Sequence, residues 1–275
     1  MTGGPDGRTG GVRSVSETSG SGLLGVVGDW HGNQQWAVTA IRSAARENVT
    51  TLIHVGDFGL DWPGARRGRY EQKLNRALAE HGIMMVVSPG NHDNLSRIGQ
   101  LDVEEDGLIT WRSNIKVLPK GGRTVISGLR IGGLGGAYSV DQAWRTEGKD
   151  WWPDEEPTVE QAERLVADGP VDILITHDAP AGVPVRSGLD LPADVVAGAD
   201  RTRILLREVA DQLKPPLLFC GHWHQRETHD LEHPDGRVTR VDVLDMENSR
   251  EGNGVLVWPG STPLRVEPLF IRGNP

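Results

Sequence analysis

The sequence predicts an α/β protein, and three observations carry that expectation. Apolar strand-length runs alternate with amphipathic helical stretches over residues 23–87. A glycine-punctuated, β-rich middle follows between 115 and 136. Strand- and helix-length segments then alternate again, up to the run LLFC at 217–220, which leads into GHWH at 221–224.

The elements follow in order. LLGVV (23–27) is a short apolar run of the kind a buried strand shows. QQWAVTAIRSAARE (34–47) places Trp36, Ala37, Ala40, Ile41 and Ala44 at helical spacing. TLIHV (51–55) is a second strand, YEQKLNRALAEH (70–81) a second helix with Gly82 as its stop, and IMMVV (83–87) a third strand. This order implies parallel pairing with right-handed crossovers. IKVLP, RTVIS and LRIGGLGG read as antiparallel strands with glycine turns. A helix near 158–168, the strand DILIT (172–176), a helix over about 200–213 and LLFC come next. RVTRVDVLD and GVLVWPG again read as β. Residues 1–21 are rich in glycine and serine, with almost nothing to bury, so a disordered tail is expected ahead of one domain over 22–275.

Composition narrows the function. The chain has 275 residues, 37% of them hydrophobic and 24% charged, as in an ordinary globular protein. A net charge of −9 argues against a broad nucleic-acid surface, which would be basic. It leaves room for a small anionic substrate, because a bound metal reverses local charge. The single cysteine, Cys220, rules out an intramolecular disulfide and fits a reducing compartment. With no membrane-length apolar run and no secretory pattern, a cytoplasmic location is expected.

The predicted strands end in polar clusters: GDWHGN (28–33), GDFG (56–59), PGNHD (89–93), THDAP (176–180) and GHWH (221–224). In open α/β sheets, sites form in the crevice beyond the C-terminal strand ends. Five such loops can direct Asp29, His31, Asp57, Asn91, His177, His222 and His224 into one space. In extended backbone, residues two apart face the same side, so Asp29 with His31, and His222 with His224, are each expected to reach one cation. Trp30 and Trp223, between them, are expected to pack. Carboxylate oxygen, imidazole nitrogen and one amide oxygen suit Mn, Fe, Co, Ni or Zn. Two divalent ions, two aspartates and one bridging hydroxide would leave a single positive charge, a fitting host for a phosphate oxyanion.

The ordered set Asp-x-His, Gly-Asp, Gly-Asn-His-Asp, a lone histidine after a strand, and Gly-His-x-His resembles the calcineurin-like metallophosphoesterase family over roughly residues 23–224. The resemblance implies a four-layer α/β/β/α sandwich, two mixed β-sheets face to face with helices on both outer faces. It implies that Asp29, His31 and His224 hold one metal, that Asn91, His177 and His222 hold the other, and that Asp57 bridges them. His92 matches the family's substrate-facing histidine, which assists the leaving group. The implied reaction is hydrolysis of a small phosphate mono- or diester by a metal-bridging hydroxide. A non-catalytic scaffold of the same fold that binds a partner protein is the rival; it would tolerate lost ligands, and this chain has lost none. The elements PCxxC and HExxH of other zinc hydrolases are absent from the sequence.

One departure stands out. Many members carry an aspartate three residues after the bridging one; here that position is Leu60, and Asp61 follows, serving His92 by a shifted loop or not at all. Arg66, Arg67 and Arg69 read as a solvated basic turn. Asp141 and Arg145 are candidates for groups behind the site, while Trp144, Trp151 and Trp152 either line its mouth or pack. His54 and Cys220 are expected to be buried, His81 to sit at a helix end, and His229 and His233 to lie at the surface.

Overall fold

The computed structural model describes residues 22–273. The disordered tail expected over 1–21 lies outside the described residues. The chain begins with β1 (Leu23–Val27), α1 (Gln34–Arg46), β2 (Val49–His54), α2 (Arg69–His81) and β3 (Met84–Val87). A single helical turn, α3 (Leu95–Ile98), precedes β4 (Ile109–Arg112), β5 (Ile115–Val117), β6 (Gly122–Ile126) and β7 (Leu129–Leu134). Next come α4 (Val159–Ala167), β8 (Ile173–Thr176), α5 (Ala193–Leu213) and β9 (Leu217–Cys220). The chain closes with β10 (Glu227–Glu232), β11 (Val238–Val243), β12 (Gly254–Trp258) and β13 (Arg265–Pro268).

Two mixed sheets form, one ordered β13-β12-β1-β2-β3-β5-β4 and the other β10-β11-β9-β8-β7-β6. As expected, β1, β2 and β3 pair in parallel. The middle of the chain divides: β5 runs parallel to β3 in the first sheet, whereas β6 and β7 form an antiparallel hairpin in the second.

Alternation along the strands builds the layers. Leu24, Val26, Ile53 and Val55 from one sheet meet Ile131, Ile173, Ile175 and Phe219 from the other in the central core. The opposite faces, Val27, Leu52 and Met85, take the apolar stripes of α1 and α2. Leu174, Leu218 and Val241 take those of α4 and α5. This is the four-layer α/β/β/α sandwich. Each large apolar side chain fully buried here contributes roughly 1.5–3 kcal/mol.

Helix α5 starts earlier than its expected 200, at Ala193, because Pro192 supplies an extended residue immediately before it. Gly198 within it makes room for Tyr138: a Cβ there would lie 2.6 Å from the tyrosine ring. His233, expected at the surface, is buried between Asp211 (2.7 Å) and the Thr239 hydroxyl (2.7 Å). Its hairpin folds back on α5, a tertiary contact that a polar local sequence hides. Among the described residues, no helix is long and apolar enough to cross a membrane.

Candidate metal centre

All eight residues singled out from the sequence lie just beyond the C-terminal ends of β1, β2, β3, β8 and β9. Asp29, His31 and His224 form one group and Asp57, His177 and His222 a second; within each group one donor atom per residue lies within 4.8 Å of the others. Asp57 also reaches the first group, with Oδ2 3.4 Å from His31 Nε2. Its Oδ1 stands 3.3 Å from His177 Nε2. Asp29 Oδ2 is 3.4 Å from His224 Nε2. Asn91 Oδ1 is 3.1 Å from His177 Nε2.

The local backbone differs from the expected extended segments. His31, Asp57, His222 and His224 all have left-handed backbone, with φ of 41°, 54°, 66° and 50°. Tight turns, not a strand pleat, therefore place these residues: Asp29 and His31 share one group as expected, whereas His222 and His224, expected to reach one cation, divide between the two groups. Such conformations are costly for non-glycine residues and persist where surrounding contacts over-determine them. Asp57 is held that way: Trp30 N and His31 N both donate to its carbonyl, and His92 N donates to its Oδ1. The adjoining glycines permit close approach. A Cβ on Gly221 would stand 2.1 Å from Asp29 Oδ1, and one on Gly90 2.2 Å from Asp57 Oδ1.

The outer contacts fix which atoms face inward. His177 Nδ1 lies 3.0 Å from the Val55 carbonyl, which can only accept, so this nitrogen carries a proton and Nε2 is the atom left to offer a lone pair to a cation. His31 Nδ1 meets Glu247 Oε2 at 2.8 Å, with the same result. The Asn91 amide donates to Ser139 Oγ (2.9 Å), and Ser139 Oγ donates to Glu155 Oε2 (2.6 Å). That relay turns the Asn91 oxygen inward. Asn91 Oδ1, His177 Nε2 and Asp57 Oδ1 thus converge in a buried space, and a cation fits that donor set in place of the imidazole proton.

The electrostatics agree. Burial opposes a proton on His31, yet the hydrogen-bonded Asp57 carboxylate, with Asp29, pushes its pKa up to about 10. His177 is raised to about 9, against burial, by Asp57 and then Asp29. Burial would raise the Asp57 carboxyl, but the surrounding histidines hold it well below the usual range. The space attracts positive charge. Burial instead lowers the pKa of His222 and of His92.

His92 faces the same space, with Nε2 3.9 Å from Asp57 Oδ2. Asp61 does not reach it: its carboxylate is clamped by Arg67 and by the Asn94 amide. Arg145 occupies that neighbourhood, its Nη2 2.6 Å from His92 Nε2 and 2.7 Å from Asp141 Oδ1.

The sequence model of the calcineurin-like phosphoesterase family matches residues 23–226. The chain belongs to that family. Solved structures share the fold. The protein TT1561 of Thermus thermophilus is 14% identical with a TM-score of 0.52, over 90% of this chain and 98% of its own. A dimetal phosphatase from Danio rerio is 12% identical with a TM-score of 0.51, over 92% and 99%. Another structure, 16% identical, matches with a TM-score of 0.59 over 91% and 99%. A search of curated proteins found no match.

In this member of the calcineurin-like phosphoesterase family several supporting residues lie outside the set of ligands the motifs predict. Asp93 ties its own loop after β3 to the loop after β2, accepting from Gly59 N (2.8 Å), Leu60 N (2.7 Å) and Gly90 N (2.8 Å). Asn253 Oδ1 accepts from both Trp30 Nε1 and Trp36 Nε1 at 3.0 Å. Ser139, Glu155 and Glu247 carry no local signal at all. Trp30 packs in the core as expected; of the tryptophans whose role stood open, Trp152 is buried and Trp144 is exposed. Trp223 contributes to a cavity wall as well as to packing.

Proposed function

We propose that the protein hydrolyses phosphate mono- or diesters with two divalent cations drawn from Mn, Fe, Co, Ni and Zn. Asp29, His31 and His224 would hold one, Asn91, His177 and His222 the other, with Asp57 common to both. The observation behind this reading is the buried Asp57 carboxylate lying against histidines of both groups. Bound cations would supply Lewis-acid polarisation of phosphoryl oxygens and an acidified water.

The chain's own residues do the rest. Hydrolysis adds a water oxygen to phosphorus and breaks the bond to the ester oxygen, which must then gain a proton. His92 Nε2 is the atom placed to deliver it or to stabilise the departing oxygen. The loop that carries His92 is fixed from both sides: its backbone N–H donates to Asp57, and its carbonyl accepts from Trp62 Nε1 at 2.5 Å. Glu247 and the Ser139–Glu155 pair orient His31 and Asn91 from behind.

The test is hydrolysis of p-nitrophenyl phosphate and bis-p-nitrophenyl phosphate by the Mn-supplemented protein. Turnover of either is the expected result. Full metal binding with turnover of neither would favour a scaffold that binds a partner protein.

A further inference from the structure

The space in front of Asp57, Asn91 and His92 opens into a cavity of about 570 Å³, far larger than inorganic phosphate needs. Its two ends differ in chemistry. The inner end is polar, with His92 and Arg145. The outer end carries Val185, Leu189, Leu191, Val196 and Trp223, with Arg186 and Asp200 interspersed, and most of the lining surface is apolar. Leu189 is 64% exposed and Val196 43%. Large apolar side chains left in water beside a polar site are an unusual arrangement, and they mark a surface with an occupant.

The wall is built to hold its shape. Trp223 Nε1 donates to Asp178 Oδ1 at 2.7 Å. Arg203 lies 5.1 Å from the centre of the indole ring. Arg203 also donates to the carbonyls of Ala179 (3.1 Å) and Val183 (2.9 Å), tying α5 to the segment that leads into Val185. Its guanidinium is thereby engaged by the protein. Arg145 differs: the side chain is only 8% exposed, yet its Nη2 rests against His92 Nε2, the atom that would meet the ester oxygen. A phosphoryl oxygen arriving there can take the arginine's N–H from the imidazole, so that both partners of the bond are charged instead of the donor alone.

Building on the phosphoesterase reading, we infer that the preferred substrate is a phosphate ester of an apolar alcohol or phenol. Its organic group lies against Leu189, Val196 and Trp223, and its phosphoryl oxygens are met by Arg145. One cavity containing both ends fixes the distance between charge and apolar body. A polyol or bare phosphate would leave the outer wall in water.

The experiment titrates the Mn-loaded protein with phenylphosphonate and with methylphosphonate by calorimetry, alongside p-nitrophenyl phosphate hydrolysis. Phenylphosphonate should bind at least tenfold tighter. In Leu189→Asp and in Val196→Ser, both at exposed positions, that ratio should fall to within about threefold. Arg145→Ala should weaken both phosphonates together and keep their ratio. Equal affinity of the two phosphonates in the unmodified protein, with ester hydrolysis intact, overturns the substrate class and leaves the phosphoesterase reading standing. A ratio that survives both wall substitutions overturns the placement of the organic group. Binding of neither phosphonate, with no hydrolysis, overturns both.

Discussion

His92 shows what a single residue can be asked to do in this site. It stands within reach of Asp57 but belongs to neither ligand group. His92→Ala should therefore keep the metal content measured by plasma emission while turnover falls about 10²–10⁴-fold. Unchanged turnover would remove its role. His54 carries a separate prediction. Burial pushes its pKa down to about 3, so the folded state keeps it neutral. Unfolded, it titrates near 6.5. Below that pH the unfolded chain takes up a proton that the folded protein refuses, and stability falls as pH drops from about 6.5 towards 3. In urea melts, the stability lost between pH 7 and pH 5 should be about 2 kcal/mol smaller in His54→Gln. The inward-facing residues were legible because their chemical types gather just after apolar runs. The residues that orient them were not, since Ser139 is 48 positions from Asn91 and Glu247 is 216 from His31. No spacing rule spans such intervals.

Among the elements, periodicity located α1, α2, β1, β2, β3, β8 and β9 because each buries one stripe or alternates between two apolar layers. It missed β10, which reads ETHDLE and shows a single buried residue, and β13, where only Val266 of four residues packs inward. Edge strands with wet faces lack the signal. The start of α5 escaped because ADVVAGAD holds a glycine whose purpose is to admit Tyr138. The strand-to-loop junctions hold the site together, and Gly221 tests that. Gly221→Ala forces a methyl against Asp29. It should lower metal occupancy and the melting temperature together, read by emission and by calorimetry. A variant with unaltered occupancy would show that the β9 turn is free to shift.

At the scale of the whole molecule, the candidate metal centre joins loops from both sheets, so its occupancy should be felt by the entire fold. Adding Mn at a hundred times its dissociation constant should stabilise the protein by about 2.7 kcal/mol, or roughly 5–10 °C in melting temperature. A chelator should reverse the gain. A melting curve indifferent to both would separate the loops from the cation. The order in which the chain supplies these parts has its own outcome. The loop bearing Asp29 comes first, yet it is braced by Asn253 from the far end, and β1 pairs with β12. A chain made only as far as His224 therefore carries every proposed ligand while Asn253, the brace of its earliest ligand loop, is still to come, and it has no finished pocket to load.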